Sequence, residues 1–203
     1  MSDLSTQLQK LVIASGNAGK VEEFRAYLAD LGVTLMPKPD SIDVEETGIT
    51  FIENARLKAS QVAIATGEWA LADDSGLEVI ALNNAPGVLS ARYADTDSDR
   101  INRVLQELDN SSNREAQFVC AIAIASPDGA IAAEAIGICK GAIADAPRGN
   151  GGFGYDPIFL VPELQQTFGE IQPEIKAKIS HRALALETLR SKLESLVGSR
   201  YSA

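Results

Sequence analysis

The sequence has few basic, sulfur-containing and imidazole side chains. Its 18 Lys and Arg stand against 28 Asp and Glu, a formal charge of -10. Such a chain lacks the basic face that displaces counterions from a nucleic-acid backbone, so it is a poor candidate for binding nucleic-acid polymers. Its two cysteines, Cys120 and Cys139, have no CxxC spacing and no nearby His. We expect small buried hydrophobes in a reducing cytosol rather than a disulfide or a metal pair.

Long apolar runs are also missing. The longest, residues 118–125, is far shorter than the ~18 residues that span a bilayer, so we expect no transmembrane helix and no membrane partner. The opening residues lack the basic and apolar regions of a signal peptide, which predicts a cytoplasmic protein. With 45% apolar and 23% charged residues, the chain has the composition of a globular protein, and a single domain over residues 1–203 is the simplest expectation.

Apolar spacing predicts strands and helices that alternate along the chain. The predicted elements are a strand at 10–15, a helix at 21–31, a helix at 51–66 with a Thr50/Glu53 capping box, a strand at 69–82 interrupted at 73–76, a helix at 99–108 capped by Ser98, a hairpin of 118–125 with 130–139, and a helix from about Ser180. This mixture predicts an α/β fold with a mixed sheet.

A glycine-rich turn follows the first predicted strand. Ser15–Lys20 reads SGNAGK, and a turn of this kind before a helix offers backbone N–H groups and the positive helix end to an anion. It is not a Walker A loop, because Ala14 stands where that motif needs Gly and Val21 where it needs Ser or Thr. A plain strand-to-helix turn, in which the glycines serve only the backbone, is the alternative.

Two acidic pairs are candidates for cation chemistry. Asp73 and Asp74 repel each other at a strand and point to opposite faces, so one can face a site while the other braces it. An Asx-type turn is the alternative. Glu45 and Glu46 form the second pair, which read alone is typical of solvated loop charges. Mg²⁺ is held by one or two carboxylates plus substrate phosphates, so one residue from each pair would suffice.

The last third of the chain offers a glycine-rich aromatic loop and a basic cluster. Residues 149–157 read GNGGFGYDP, in which Phe153 or Tyr155 could stack on a base, or both rings could be buried for structure. Residues 173–192 contain five basic side chains and two acidic ones. Within that stretch, His181 is either a ligand group or a surface or cap residue. Arg182 at a helix N-terminus favours an anionic partner, since the helix dipole disfavours a cation there.

Taken in order, six segments resemble one family. They read SGNAGK, EETGITFIENARLKA, ADDSGLEV, APGVLSARYA, GGFGYDPIF and KISHRALAL. In this order and spacing they are similar to the non-canonical purine nucleoside triphosphate pyrophosphatases, also called HAM1-like or inosine triphosphatase-like proteins. The resemblance runs from about Lys10 to Leu196.

The resemblance implies both a fold and an activity. The fold is an elongated, two-lobed α/β structure with a long mixed sheet flanked by helices and a nucleotide cleft between the lobes, usually in a homodimer. The activity is Mg²⁺-dependent hydrolysis of ITP, dITP and XTP to the monophosphate and pyrophosphate, which keeps deaminated purines out of DNA and RNA. Residues 1–9 precede the usual family start, so we expect a flexible lead.

Site residues follow from the same resemblance. Asp74 is the implied proton acceptor and a metal ligand, and Glu45 is the second ligand, with Glu46 as the neighbouring alternative. Lys20, Lys58 and Lys176 would hold the polyphosphate, although Lys178 competes with Lys176. The implied substrate contacts are Ser15, Gly16, Asn17, Ala18, Gly19, Lys20, Lys58, Ser75, Phe153, Gly154, Tyr155, Asp156, Lys176, His181 and Arg182. A nucleotide sensor of the same fold, and a pyrophosphatase for modified pyrimidine or methylated nucleotides, are the competing functions.

Overall fold

The computed structural model describes residues 7–109 and 111–198, in which strands and helices alternate. The strands are β1 (Lys10–Ile13), β2 (Thr34–Pro37), β3 (Trp69–Val79), β4 (Ala85–Pro86), β5 (Glu115–Ala125), β6 (Ile131–Ile143), β7 (Phe159–Val161) and β8 (Gln166–Thr167). The helices are α1 (Ala18–Leu28), α2 (Phe51–Thr66), α3 (Asp97–Glu107), α4 (Pro173–Ile179) and α5 (His181–Val197). Among these described helices, none has the length and apolarity needed to cross a membrane.

All eight strands join one sheet. Its order is β2-β1-β3-β5-β6-β7-β8, and β4 pairs with β3. Strand β1 is parallel to both β2 and β3, whereas β7 is antiparallel to β6 and β8. The predicted α/β fold with a mixed sheet and flanking helices is therefore confirmed.

The described residues divide into two units. The first contains residues 7–74, 121–136 and 185–198, and the second contains 75–120 and 137–184. Strands β3, β5 and β6 and helix α5 each contribute residues to both units. The single domain over 1–203 stays a prediction.

Each unit buries its own apolar residues. In the first, the buried side chains include Leu11 and Ile13 of β1, Phe24 of α1, Val62 of α2 and Leu189 of α5. The core of the second contains four aromatic rings, Phe118, Tyr155, Phe159 and Phe168, of which Phe118 and Phe159 have centroids 4.4 Å apart. Full burial of one side chain of this size contributes roughly 1.5–3 kcal/mol to the free energy of unfolding. The buried side chains of each unit therefore stabilise the strands of that unit.

Helix α2 begins and ends where the sequence predicts. The Thr50 side chain accepts from the Glu53 N–H, the Glu53 carboxylate accepts from the Thr50 N–H, and Gly67 ends the helix in a left-handed conformation. Helix α3 differs from the prediction, since it starts at Asp97 rather than Asp99. Its N-cap is Thr96, not Ser98, because the Thr96 hydroxyl accepts from the Asp99 N–H at 3.1 Å.

Strand β3 also corrects the sequence analysis, because it continues through Asp73 and Asp74 to Val79 without the predicted interruption. Partners for both carboxylates, described below, allow the two charges to lie within a strand. The hairpin of β5 and β6 is confirmed, with its turn closed by the Gly129 N–H donating to the Ser126 carbonyl at 2.7 Å.

The expected flexible lead and the two cysteines are described only in part by the sequence predictions. Of the expected flexible lead, residues 1–6 lie outside the described residues. For Leu8 the expectation is wrong, because this side chain is fully buried and its N–H donates to the Leu196 carbonyl at 3.0 Å. Cys120 and Cys139 are both buried, as expected. Burial raises the pKa of Cys139 to about 11.

Candidate active site

The register of β1 and β3 brings the glycine-rich turn beside the aspartate pair. Ile13 pairs with Leu71, and the Ala14 N–H donates to the Leu71 carbonyl at 2.8 Å. Two residues beyond that pair come Ser15 and Asp73. Because the two strands are parallel, the turn after β1 and the acidic segment of β3 lie at the same level of the sheet.

The turn itself is built by Asn17. Its side-chain oxygen accepts from the Lys20 N–H at 3.1 Å, and its own N–H donates to the Ser15 hydroxyl at 3.2 Å. Helix α1 therefore starts at Ala18, and the last three predicted loop residues form its first turn. N–H groups in the first turn of a helix have no partner within the helix, which gives this turn the chemistry of an anion site.

Five side chains of the first unit form what we call the charged cluster: Lys20, Glu46, Lys58, Asp73 and Asp74. Lys20 Nζ lies 2.9 Å from Asp73 Oδ2, and the Asp73 side chain is fully buried. Lys58 Nζ lies 2.6 Å from Glu46 Oε1 and 3.7 Å from Asp74 Oδ1. Every lysine of the cluster thus has a carboxylate partner.

The ionisation of Lys58 and Asp74 reflects these contacts. Burial alone would lower the pKa of Lys58, but Asp73, Asp74 and Glu46 outweigh it and raise that pKa. Lys58 is therefore a cation at neutral pH. Burial also raises the pKa of Asp74, although Lys58 opposes the shift. A carboxyl with a raised pKa is a better proton acceptor near neutral pH than an exposed one.

In the second acidic pair, Glu46 rather than the predicted Glu45 contacts the charged cluster. Glu45 is exposed, whereas Glu46 is the carboxylate that contacts Lys58. The geometry thus favours Glu46 over Glu45 as the companion of Asp74. Within residues 7–109 and 111–198, no group of three His, Cys, Asp or Glu could hold a metal by itself. Asp74 and Glu46, two carboxylates near a turn with the chemistry of an anion site, would fit Mg²⁺, which completes its shell with phosphates and water.

In the second unit, Arg182 is the most deeply buried cation. It is 1% exposed, and its Nη2 donates to the Ser75 hydroxyl at 3.0 Å. Ser75 follows Asp74 directly on β3, so the predicted contact residues Ser75 and Arg182 are brought together. A guanidinium has five N–H donors and no acceptor, which fixes the kind of ligand atom that it can meet.

The predicted base-binding loop is held by Asp156. This carboxylate is buried and accepts from the Phe153 N–H at 2.8 Å and from Lys176 Nζ at 2.7 Å. Lys176 was expected to hold phosphates with Lys20 and Lys58. Its described contacts instead lie in the second unit, with Asp156 and with the Phe153 ring at 4.9 Å. Lys178 is exposed, and which of the two lysines contacts a phosphate stays a prediction.

The two aromatic residues of that loop differ. Tyr155 is buried and its hydroxyl donates to the Ser90 carbonyl at 2.9 Å, so its ring serves the loop structure. Phe153 is only half-buried. Gly154, between them, has φ of +59° and donates its N–H to Asp97 at 3.0 Å, which attaches the loop to α3.

A row of stacked side chains ends at the predicted histidine. His181 stacks on Phe118 at 4.7 Å, Phe118 stacks on Phe168 at 5.8 Å, and Lys176 lies over Phe168 at 5.6 Å. Together with Phe153, these residues form what we call the aromatic cluster: Phe118, Phe153, Phe168, Lys176 and His181. The position of His181 within this row removes the surface alternative, since it is buried.

Some residues in or beside these two clusters were not predicted. Phe118 and Phe168 carry no sequence signal, because one lies in an apolar strand and the other beside a two-residue strand. Asn54 was also missed: it is fully buried, and its Nδ2 donates to Asp74 Oδ2 at 2.9 Å. Its spacing of four residues from Lys58 could have identified it, since such residues share a helix face.

Comparison with known proteins gives consistent matches over most of the chain. A model of the Ham1 family matches residues 11–192. A dITP/XTP pyrophosphatase of Nostoc sp. is 59% identical over 189 residues, which are 93% of this chain and 96% of that protein. A dITP/XTP pyrophosphatase of Synechocystis sp. is 55% identical, over 88% of this chain and 92% of that protein.

A solved structure matches as well. The structure of a HAM1 protein from Coxiella burnetii superposes with a TM-score of 0.85 at 46% sequence identity. The match covers 93% of this chain and all of that one. Both the sequence and the fold therefore agree with the same family.

Proposed function

The chain belongs to the Ham1 family, and we therefore propose that it hydrolyses deaminated purine nucleoside triphosphates, dITP, ITP and XTP, to the monophosphate and pyrophosphate. The observation that carries this function is the charged cluster. A buried carboxylate, Asp74, lies beside the cation Lys58, next to a turn with the chemistry of an anion site. This combination suits phosphoanhydride hydrolysis, in which charge on the phosphates must be balanced while water is deprotonated.

The chemical step breaks one bond and forms one. The water oxygen bonds to the α-phosphorus, the bond from that phosphorus to the bridging oxygen breaks, and pyrophosphate leaves. We assign to Asp74 the proton released by the water, because its buried carboxylate has a pKa above the ordinary value of an aspartate. Even so, an aspartate is a weak base, so orientation must supply much of the rate acceleration.

The polyphosphate is assigned to the turn Ser15–Lys20 and to two lysines. Backbone N–H groups of the turn, with the positive end of α1, attract phosphate oxygens. Lys20 and Lys58 add two positive charges that are held by Asp73 and Glu46. We expect these ion pairs to exchange partners with phosphate, which keeps the lysines oriented before the substrate arrives.

A divalent metal is part of the proposal, and Mg²⁺ is the ion we name. Asp74 and Glu46 are the carboxylates that would hold it, with Glu45 as the ligand implied by the resemblance alone. With phosphate oxygens in its shell, Mg²⁺ would neutralise charge that builds on the polyphosphate. Lys58, which contacts both Asp74 and Glu46, keeps these two carboxylates together.

Selection of the base is assigned to Arg182, Phe153 and their neighbours. A 6-keto purine carries an acceptor at O6 where adenine carries a donor, and Arg182 can only donate. Adenine therefore leaves an unsatisfied donor pair, which costs binding energy in a buried site. Ser75 orients the guanidinium through its 3.0 Å hydrogen bond, and the half-buried ring of Phe153 offers a stacking surface.

One assay tests this function. Pyrophosphate release is measured from dITP, XTP, ITP, dATP, dGTP and a modified pyrimidine triphosphate, each with Mg²⁺ and with EDTA. We expect the deaminated purines to be hydrolysed fastest and EDTA to abolish turnover. Equal rates on dATP and dITP would contradict the proposed selectivity, and binding without any pyrophosphate release would indicate a sensor.

Two further expectations stay proposals, namely a homodimer, which rests on the family resemblance, and a cytoplasmic location. Light scattering on the purified protein tests the first, since a dimer has twice the chain mass of 21.5 kDa. Fractionation of the source cells tests the second. A monomeric mass, or recovery outside the cytoplasmic fraction, would contradict the corresponding expectation.

A further inference from the structure

The Asn54 side chain lies between Asp74 and the backbone of Gly48 and is hydrogen-bonded to both. It is fully buried in the first turn of α2, and its side chain makes two hydrogen bonds. Its Nδ2 donates to Asp74 Oδ2 at 2.9 Å, and its Oδ1 accepts from the Gly48 N–H at 2.8 Å. The donor and acceptor requirements of these two partners fix the orientation of the amide.

The second of these bonds attaches the loop that carries Glu46. Three successive N–H groups, those of residues 48, 49 and 50, are bound by side chains of α2, the first by Asn54 and the next two by Glu53. Gly48 must lack a side chain, because a Cβ there would lie 2.6 Å from Asn54 Oδ1 and 2.7 Å from the Glu53 Cβ. The loop is thus fitted closely against Asn54.

Helix geometry places Lys58 on the same face as Asn54, one turn further along. Asp74 is therefore approached by both residues from one helix. Asn54 binds its Oδ2 at 2.9 Å, whereas Lys58 lies 3.7 Å from its Oδ1. The short, directional contact is the one with the amide, and it belongs to a side chain with no charge to offer a phosphate.

We propose that Asn54 is a positioning residue, which orients the Asp74 carboxylate for proton transfer by donating to its Oδ2. This inference rests on the proposed role of Asp74. Lys58 can then bind phosphate without releasing Asp74, because the amide holds the carboxylate independently. A misplacement of the base by about 1 Å can cost ~100-fold in rate.

Two substitutions at Asn54 distinguish the effect of its hydrogen bond to Asp74 from the effect of its packing in the core. Asn54→Leu removes both hydrogen bonds and keeps the branched shape of the side chain, and Asn54→Asp keeps an acceptor for Gly48 but removes the donor. We expect kcat for dITP at saturating Mg²⁺ to fall ~10- to 100-fold in both, while KM changes less than ~3-fold. The Kd for dITP in EDTA, measured by calorimetry, should change by less than ~3-fold for Asn54→Leu.

Val62→Ala is the matched control, since Val62 is equally buried two turns further along α2. It should lower the unfolding temperature and leave kcat within about twofold, because it touches α2 stability alone. Gly48→Ala is the independent variant: its new Cβ must displace Asn54, so kcat should fall ~3- to 10-fold with KM unchanged.

The outcomes are decisive in each direction. A kcat within threefold of the unsubstituted enzyme for Asn54→Asp would overturn the inference, as would a loss that appears in KM and Kd or that Val62→Ala reproduces. If neither Asn54 variant folds, Gly48→Ala decides by its kcat. Failure of the proposed function is distinguishable, because the unsubstituted protein would then release no pyrophosphate from dITP, or Asp74→Asn would retain activity.

Discussion

The charged cluster of the first unit and the aromatic cluster of the second differ in the kinds of side chain that they bring together. The charged cluster has three carboxylates and two lysines, with the Lys20–Asp73 and Lys58–Glu46 pairs at 2.9 and 2.6 Å. The aromatic cluster has three phenylalanine rings, one histidine and one lysine, neutralised by Asp156. Lysines whose carboxylate partners can be replaced by phosphate suit a polyphosphate. Aromatic rings and hydrogen-bond donors that are held in one orientation suit a planar base.

The two clusters also use burial differently. In the charged cluster, burial raises the pKa of Asp74, which suits the proposed role of this carboxylate as the proton acceptor. In the second unit, burial of the Asp156–Lys176 pair, with side chains 3% and 10% exposed, fixes a loop. Substitutions in the first cluster should therefore change rate, and those in the second should change stability or selectivity.

The largest effect is expected for Asp74→Asn. The amide keeps the shape of the side chain but cannot accept the proton, so turnover should fall by more than ~100-fold. Steady-state pyrophosphate release from dITP measures this, and the far-ultraviolet dichroism should be unchanged. Asp145→Asn is the control, since this side chain is fully exposed. Retained activity in the purified Asp74→Asn variant would remove Asp74 from the role of base.

Lys176→Met should have the next largest effect, on stability. It leaves the buried Asp156 carboxylate without its cation, which costs about 3 kcal/mol and lowers the unfolding midpoint by roughly 6–12 °C. Thermal unfolding followed by dichroism measures the shift. Lys178→Met, two residues along and exposed, should leave the midpoint unchanged. If Lys176→Met and Lys178→Met had the same unfolding midpoint, the ion pair of Lys176 with Asp156 would not contribute to stability.

Arg182→Gln should change selectivity. Glutamine both donates and accepts, so it can meet the donor of adenine, and the ratio of kcat/KM for dITP over dATP should narrow by about tenfold. Lys58→Met is the comparison variant from the charged cluster, and it should lower both rates while leaving that ratio alone. A ratio that Lys58→Met changes and Arg182→Gln does not would contradict the assignment of base selection to Arg182.

The smallest effect is expected at the helix caps. Thr50→Ala in α2 and Thr96→Ala in α3 each remove a cap and should cost about 1 kcal/mol, or roughly 2–4 °C in the unfolding midpoint. Thr47→Ala, an exposed loop residue, serves as the control. An unchanged midpoint for Thr50→Ala would mean that packing alone fixes the start of α2.

Local patterns predicted the elements whose signals are local. The α2 helix is an example, because its apolar spacing, capping box and terminal glycine are all contained within 18 residues from Thr50 to Gly67. The prediction of an interruption in β3 was wrong for the opposite reason. It treated Asp73 and Asp74 by their mutual repulsion, while their partners Lys20 and Asn54 lie 53 and 20 residues away in the sequence.

The site residues divide in the same way. Motif order identified the turn Ser15–Lys20, Asp74 and the loop at residues 153–156 as candidates, and their roles stay proposals. The spatial neighbours of these residues had no signal of their own. Phe118 lies in an apolar strand like any core residue, and only its stack on His181 gives it a place near the predicted contacts.

The sequence by itself thus determined the family, the α/β class and the residue types that suit an anion and a base, because these depend on composition and on the order of short segments. Tertiary structure alone decided which charges meet. It paired Lys176 with Asp156, chose Glu46 over Glu45 as the contact of Lys58, and placed Asn54 against Asp74. The physical reason is that the strength of an ion pair or hydrogen bond depends on distance and burial, which separation along the chain does not reveal.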